Sequence, residues 1–98
     1  MSEVAHSVSG AARPRLPRGV RLRHNEAQGG WVLLAPERVF KADQITAEIL
    51  KRCTGEASVI DIVDDLAKAF TGAARDRIQT DVTALLGSLL EKRLLELK

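Results

Sequence analysis

The order of apolar and polar residues divides the chain into a strand-rich first half and a helical second half. Residues 20–24 alternate apolar and basic side chains, which is the period of a strand with one buried face. Two more short apolar runs follow, at residues 31–34 and 39–41, and Pro36 between them favours a type I turn. The pattern therefore predicts a three-stranded antiparallel meander whose third strand lies at an edge.

The second half of the chain has the spacing of three amphipathic helices. Apolar positions recur every three or four residues after Asp43, whose carboxylate can cap a helix. The spacing predicts a first helix that ends near Gly55, a second between Ser58 and Gly72, and a third over residues 74–92. Strands followed by helices indicate an α+β fold, with helices on one face of the sheet. The third helix carries more apolar surface than one core face needs.

Length and composition fit a single small domain. The chain has 98 residues, of which 45% are hydrophobic and 29% charged. Residues 1–13 lack large apolar periodicity, so we expect a disordered tail followed by one domain over residues 14–98. No apolar run approaches the roughly 18 residues of a membrane span, and we predict neither a membrane segment nor a signal peptide. A single cysteine fits a reducing cytoplasm.

Catalysis has little support in the sequence. His6, His24 and Cys53 are isolated from one another, and no nucleotide, metal or hydrolase motif is present. One cysteine cannot hold an iron–sulfur cluster, and the set is too small for structural zinc. We therefore expect a protein that is not an enzyme, with no metal and no cofactor of its own. The net charge of +2 is also low for a nucleic-acid-binding protein.

Two sets of residues remain open to two interpretations. Trp31 is expected in the core, and the alternative is a stacking residue at a binding surface. Four cations of the predicted sheet form either a solvated face or a surface that attracts an acidic peptide or another anion; these are Arg21, Arg23, Arg38 and Lys41.

An exposed edge strand beside an over-apolar helix predicts a groove for an extended peptide. The peptide adds a strand through backbone hydrogen bonds, and side-chain pockets provide selectivity. Four or five hydrogen bonds at about 0.5–1.5 kcal/mol each combine with about 7 kcal/mol from burying roughly 300 Å² of apolar surface. Ordering of the peptide removes several kcal/mol, which leaves an affinity in about the micromolar range.

Residues 29–38, GGWVLLAPER, resemble the signature of the PqqD family of pyrroloquinoline quinone (PQQ) biosynthesis. Residues 17–22, 47–50 and 81–82 are similar to further parts of that family, so the resemblance spans nearly all of the ordered chain. The family commonly has a glycine where this chain has Arg93, which leaves the end of the third helix open toward Leu97. The resemblance implies a winged-helix-like peptide-recognition element of ribosomal peptide maturation.

The resemblance also implies a function and a site. PqqD-like proteins are non-catalytic chaperones that bind the precursor peptide PqqA and present it to PqqE, a radical S-adenosylmethionine enzyme. In that class the peptide adds beside the third strand and packs on the third helix. Carried onto this chain, the groove is Arg38, Val39, Phe40 and Lys41 against Asp81, Val82, Leu85, Leu86 and Leu89.

Two other functions and the oligomeric state stay open at this point. A winged-helix DNA-binding protein is the first alternative, because the helices suit a helix-turn-helix-like arrangement. Direct binding of the quinone PQQ beside Trp31 is the second. An unpaired edge strand also invites a second copy of the chain, so a homodimer without ligand is compatible with the sequence.

Overall fold

The computed structural model describes residues 8–98, except for the side chain of Gln28. Its strands are β1 (Pro14–Arg15), β2 (Arg21–Asn25), β3 (Gly30–Ala35), β4 (Arg38–Ala42) and β5 (Glu96–Leu97). Its helices are α1 (Gln44–Lys51), α2 (Val59–Ala69) and α3 (Arg75–Glu91). A short 3₁₀ turn, Glu26–Gln28, joins β2 to β3.

The predicted α+β fold and antiparallel meander are confirmed. Strands β2, β3 and β4 pair in chain order, with Leu22 opposite Leu33 and Leu33 opposite Phe40. These three side chains lie on the face that the helices cover, and Leu33 belongs to the buried core. Strand β4 has β3 as its neighbour on one side and no strand on the other in the described chain.

The turn between β3 and β4 differs from the predicted type I turn. Glu37, at the third turn position, has a φ of +63°. A type I turn needs a negative φ there, whereas a type II turn needs a positive one. Pro36 at the second position suits both types, so proline alone could not distinguish them.

Side-chain caps start two of the helices as the sequence predicted. The Asp43 carboxylate accepts a hydrogen bond of 2.7 Å from the Thr46 N–H, which lowers the pKa of that carboxyl. Ser58 and Asp61 form a reciprocal capping box at the start of α2. These caps fix where α1 and α2 begin, and therefore how closely α1 follows the end of β4.

The core joins the covered sheet face to all three helices. Its fully buried members include Ile49, Ile62, Val82 and Leu86. Trp31 is not part of this cluster, contrary to the expectation of core packing. It lies on the inner face at the far end of β3, half-buried beneath Lys51, whose Nζ is 4.7 Å from the ring centroid. The covering group is therefore a cation of α1 and not the apolar core.

The described part of the predicted tail lies against α2. The N–H groups of Val59 and Ile60 donate to the carbonyls of Ala12 (2.9 Å) and Gly10 (3.1 Å). The first N–H groups of a helix have no partner within the helix, so these contacts satisfy two of them. Residues 8–13 thus differ from the expected disorder, and residues 1–7 of that tail lie outside the described residues.

The end of α3 shows how the helix stops without the expected glycine. The N–H of Leu94 donates to the Leu89 carbonyl (2.8 Å) and the N–H of Arg93 to the Leu90 carbonyl (3.1 Å), which is a Schellman motif. Arg93 holds the left-handed position with a φ of +60°. The chain then turns back, buries Leu94, and pairs β5 with β1. The sequence did not predict this second, two-stranded sheet.

We expect Arg93→Gly to stabilise the protein by about 0.5–1 kcal/mol, because glycine adopts a positive φ without the cost that a side chain incurs. Urea unfolding followed by circular dichroism measures the change. Lys92→Gly is the matched control, since Lys92 has a φ of −87° and gains nothing from glycine. A destabilised Arg93→Gly variant would contradict this account of the helix end.

Candidate functional site

The outer edge of β4 presents backbone groups that no described strand uses. Pro36 has no N–H, so Ala35 and Arg38 can pair only by exchanging both of their own backbone hydrogen bonds. Hydrogen-bonded and non-hydrogen-bonded pairs alternate along an antiparallel ladder. The N–H and C=O groups of Val39 and Lys41 therefore point away from β3, and offer two donors and two acceptors to an added strand.

The side chains of β4 alternate between the two faces of the sheet. Phe40 lies on the inner face, half-buried against the core, whereas Val39 and Lys41 lie on the outer face. Arg38 shares the inner face with Phe40. The predicted basic face therefore loses Arg38 and keeps Arg21, Arg23 and Lys41.

A groove of about 190 Å³ lies between β4 and α3. We call it the β4–α3 groove. Four of the predicted site residues meet in it: Phe40 and Lys41 on one side, and Leu85 and Leu89 on the other. The remaining lining residues are Leu33, Ala42, Thr46, Leu50, Lys92 and Leu94. The groove combines an apolar floor with an unpaired backbone edge, which is the pair of features that strand addition requires.

The predicted residues of α3 divide between the groove and the core. Leu85 is half-buried and Leu89 is buried with 7% of its surface exposed, and both line the groove. Val82 and Leu86 are 0% exposed and belong to the core. Leu86 supports the helix from beneath and lines neither the β4–α3 groove nor the second pocket described next.

A second pocket of about 170 Å³ lies further along α3, toward its N-terminus. Asp81 and Val82, the other two predicted residues of this helix, line it together with Ile45 and Phe70. The exposed Asp81 carboxylate lies 3.5 Å from the Arg77 guanidinium, an ion pair within one helical face. Ile45 is 49% exposed at the start of α1. The predicted residues of α3, apart from Leu86, thus line two neighbouring depressions along this helix.

Arg38 bridges the two walls of the β4–α3 groove at one end. Its guanidinium donates to the Lys92 carbonyl at 3.4 Å and lies 5.5 Å from the centre of the Phe40 ring. A cation at the C-terminus of a helix is favoured because the last carbonyls lack helical partners. Arg38 therefore ties β4 to the end of α3 and closes that end of the groove.

Sequence patterns missed the groove residues that arrive from other elements. Thr46 and Leu50 belong to α1. Lys92 and Leu94 follow α3, which ends at Glu91. Leu94 and Leu95 are apolar, but their place in the sequence does not indicate which surface they join. These residues reach the groove because α1 follows β4 directly and the chain reverses at Arg93.

Comparisons with known proteins identify the family of this chain. Residues 30–95 match the family model described as Coenzyme PQQ synthesis protein D (PqqD). The chain belongs to the PqqD family. Its relatives include a PqqA binding protein of Bradyrhizobium diazoefficiens, 49% identical over 88% of this chain and 82% of the relative. Another, of Xanthomonas oryzae pv. oryzae, is 42% identical over 93% of this chain and 98% of the relative.

Two solved PqqD structures share the fold. The NMR structure of the PqqD truncation of Methylobacterium extorquens PqqCD has a TM-score of 0.79 and 40% identity, and covers 94% of this chain and 97% of its own. It is described as a functional, stand-alone RiPP recognition element, RiPP being a ribosomally synthesized and post-translationally modified peptide. The crystal structure of PqqD from Xanthomonas campestris has a TM-score of 0.57 and 42% identity, covering 92% and 99%.

Trp31 of this PqqD-family chain lies outside the groove, within a small polar cluster. Its ring meets His24 edge-on at 4.9 Å between centroids, on the side of the sheet that α1 covers. Lys51, above the ring, also donates to Glu48 at 2.9 Å. Hydrogen bonds from Arg52 and Lys51 lower the pKa of Glu48 to about 2. The cluster anchors α1 on the end of β3. Arg52, which forms an ion pair with Glu48, also forms one with Asp65 of α2.

Two further findings concern metal binding and membrane crossing. Within residues 8–98, no group of three or more His, Cys, Asp or Glu side chains is placed to hold a metal ion. No helix of the described chain has the length and apolar character that crossing a bilayer requires.

Cys53 of this chain is buried in the core, and desolvation raises the pKa of its thiol to about 12. Near pH 8 we therefore expect the folded protein to react with a disulfide reagent on the order of a thousandfold more slowly than the unfolded chain, because the thiolate is the reactive form. Absorbance of the released thiolate measures both rates, and the unfolded sample in guanidinium chloride serves as the control. Comparable rates would show an exposed thiol.

Proposed function

We propose that this PqqD-family protein binds the precursor peptide PqqA as an added strand along β4 and presents it to the radical S-adenosylmethionine enzyme PqqE. One observation carries the proposal: the outward backbone groups of Val39 and Lys41 lie beside the apolar β4–α3 groove. The protein acts as an adaptor in the cytoplasm and performs no chemistry itself.

The relatives support the choice of ligand. A relative 50% identical to this chain is named a PqqA binding protein, and the structural neighbour from Methylobacterium extorquens is described as a RiPP recognition element. This chain covers at least 82% of the length of the curated relatives reported above, so the similarity extends over most of each relative.

The residues of the groove have distinct roles in this proposal. Val39 and Lys41 supply backbone hydrogen bonds, which do not depend on the sequence of the peptide. Leu85, Leu89 and Phe40 receive apolar side chains, which project from every second residue of the peptide toward the groove. Lys92 places positive charge at the wall formed by the end of α3. Selectivity therefore comes from the spacing of apolar residues in the peptide and from any acidic residues beside them.

The magnitudes fit an adaptor that must release its peptide. Four outward backbone groups at about 0.5–1.5 kcal/mol each contribute roughly 2–6 kcal/mol. Burying roughly 300 Å² of apolar surface contributes about 7 kcal/mol. Ordering of the peptide and loss of overall motion oppose binding by several kcal/mol. The result is an affinity of about micromolar, which allows exchange with the partner enzyme. A second copy of the chain can occupy the same edge as a homodimer when peptide is absent.

An NMR titration of labelled protein with PqqA locates the site directly. Amide shifts are expected to be largest in β4, in α3 from Asp81 to Leu89, and at Thr46. Shifts spread over α2 and β2 instead would remove the support for this groove.

We expect Val39→Pro to weaken PqqA binding by about three- to tenfold, because it removes one of the two outward donors. Val39→Ala is the control, since it keeps the N–H and removes only a side chain of the opposite face. Isothermal titration calorimetry gives both affinities. Equal affinity of the two variants would mean that the peptide does not pair with this edge.

We expect Leu85→Ala to weaken PqqA binding by about five- to thirtyfold through loss of buried apolar contact, equivalent to about 1–2 kcal/mol. Leu90→Ala is matched to it, because Leu90 is also a half-buried leucine of α3 but lies against the core outside the groove. Fluorescence anisotropy of labelled PqqA measures both. A larger loss from Leu90→Ala would move the peptide to another face of α3.

A further inference from the structure

The outer face of the sheet carries a compact group of cations around apolar residues. Cross-strand register places Arg21, Leu34 and Val39 in one row, and Arg23, Val32 and Lys41 in the next. The three cations are exposed. No carboxylate belongs to either row. We call this six-residue surface the outer sheet face.

The cations of this face lack the carboxylate partners that four other arginines of the chain have. Within residues 8–98, Arg21, Arg23 and Lys41 make no ion pair or side-chain hydrogen bond. In contrast, Arg15, Arg52, Arg75 and Arg77 each pair with a carboxylate. A chain with 13 acidic residues thus leaves its positive charge uncompensated on this face. Uncompensated charge of one sign attracts a surface of the opposite sign.

The centre of the outer sheet face is apolar. Val32 is only 2% exposed although it lies on the face that the helices do not cover, between Arg23 and Lys41 in the register. Long basic side chains can cover apolar surface with their stems while their charges remain in water. Val39 in the adjacent row is 57% exposed. The apolar surface available to a partner therefore comes from Val39 and the half-buried Leu34, and apolar surface beside arginine is found at protein interfaces.

We propose that the outer sheet face is a second interaction surface, which docks on a carboxylate-rich patch of the enzyme that receives the peptide. This inference rests on the proposed adaptor function for its choice of partner. An adaptor that presents a bound peptide needs a contact with the enzyme that the peptide does not occupy. The β4–α3 groove opens on the helix side of the sheet and this surface on the other, so both can be occupied together.

The size of this surface indicates a transient contact. Three strands about 4.8 Å apart and about five residues long give a footprint of a few hundred Å². A stable interface buries about 800 Å² on each partner. We therefore expect weak, rapidly formed and salt-sensitive binding, in which charge accelerates the encounter.

The test compares two charge-reversal variants with equal change in net charge. Arg21→Glu/Arg23→Glu alters the outer sheet face, and Lys68→Glu/Lys98→Glu alters exposed lysines elsewhere. Binding to PqqE is measured by biolayer interferometry with the protein saturated with PqqA, at low and high salt. Binding of PqqA alone is measured separately for each variant, and circular dichroism checks the fold.

The expected result is at least a tenfold loss of affinity for PqqE in the Arg21→Glu/Arg23→Glu variant, a change of less than twofold in the control, and unchanged PqqA affinity in both. Equal losses in both variants would overturn the proposal, since they would reflect net charge only.

No loss of affinity in the Arg21→Glu/Arg23→Glu variant, or no binding of PqqE by the wild type, would overturn it as well. If the variant loses retention on DNA or on phosphatidylglycerol vesicles but keeps PqqE affinity, the face has a different anionic partner and the proposal is wrong. Failure of PqqA binding in the wild type would instead refute the proposed function.

Discussion

The pairing of β3 with β4 is the constraint from which the properties of both sheet faces and the sheet edge follow. Because Pro36 cannot donate a hydrogen bond, the first pair of the hairpin must be Ala35 with Arg38 in mutual exchange. Every later pair inherits this alternation. It turns the backbone groups of Val39 and Lys41 outward and the side chain of Phe40 inward. A shift of one residue would exchange both sets and leave the apolar groove without its backbone edge.

Helix α3 serves the core and the groove at the same time. Val82 and Leu86 are fully buried, while Leu85 and Leu89 line the groove on an adjoining part of the helix. This explains why the helix carries more apolar surface than its core contact requires. The residues beneath the groove belong to the same buried cluster as residues of α2 and the sheet. The reversal at Arg93 holds the end of the helix, and Arg38 ties β4 to it.

The sheet separates two surfaces of different chemistry. The helix side has an apolar groove beside an unpaired edge, and the opposite side has cations around an apolar centre. Backbone pairing suits a flexible peptide, which can extend along an edge. Unpaired charges suit a folded partner, which cannot extend along a strand edge. In the proposed role, the two surfaces can be occupied at the same time.

The sequence by itself determined the order of the three sheet strands and three helices, and the class of fold. Alternation in residues 20–24, the proline turn and the three- and four-residue spacing of the helices are local signals, and they were enough to predict an edge strand beside an apolar helix. Only the tertiary structure decided which leucines of α3 face the groove, that Arg38 leaves the basic face, and that Trp31 lies outside the core. It also paired β5 with β1, in which the partners Arg15 and Glu96 are 81 positions apart in sequence. The physical reason is the same in each case. Periodicity gives the direction of a side chain around its own element, whereas burial depends on what another part of the chain places against it.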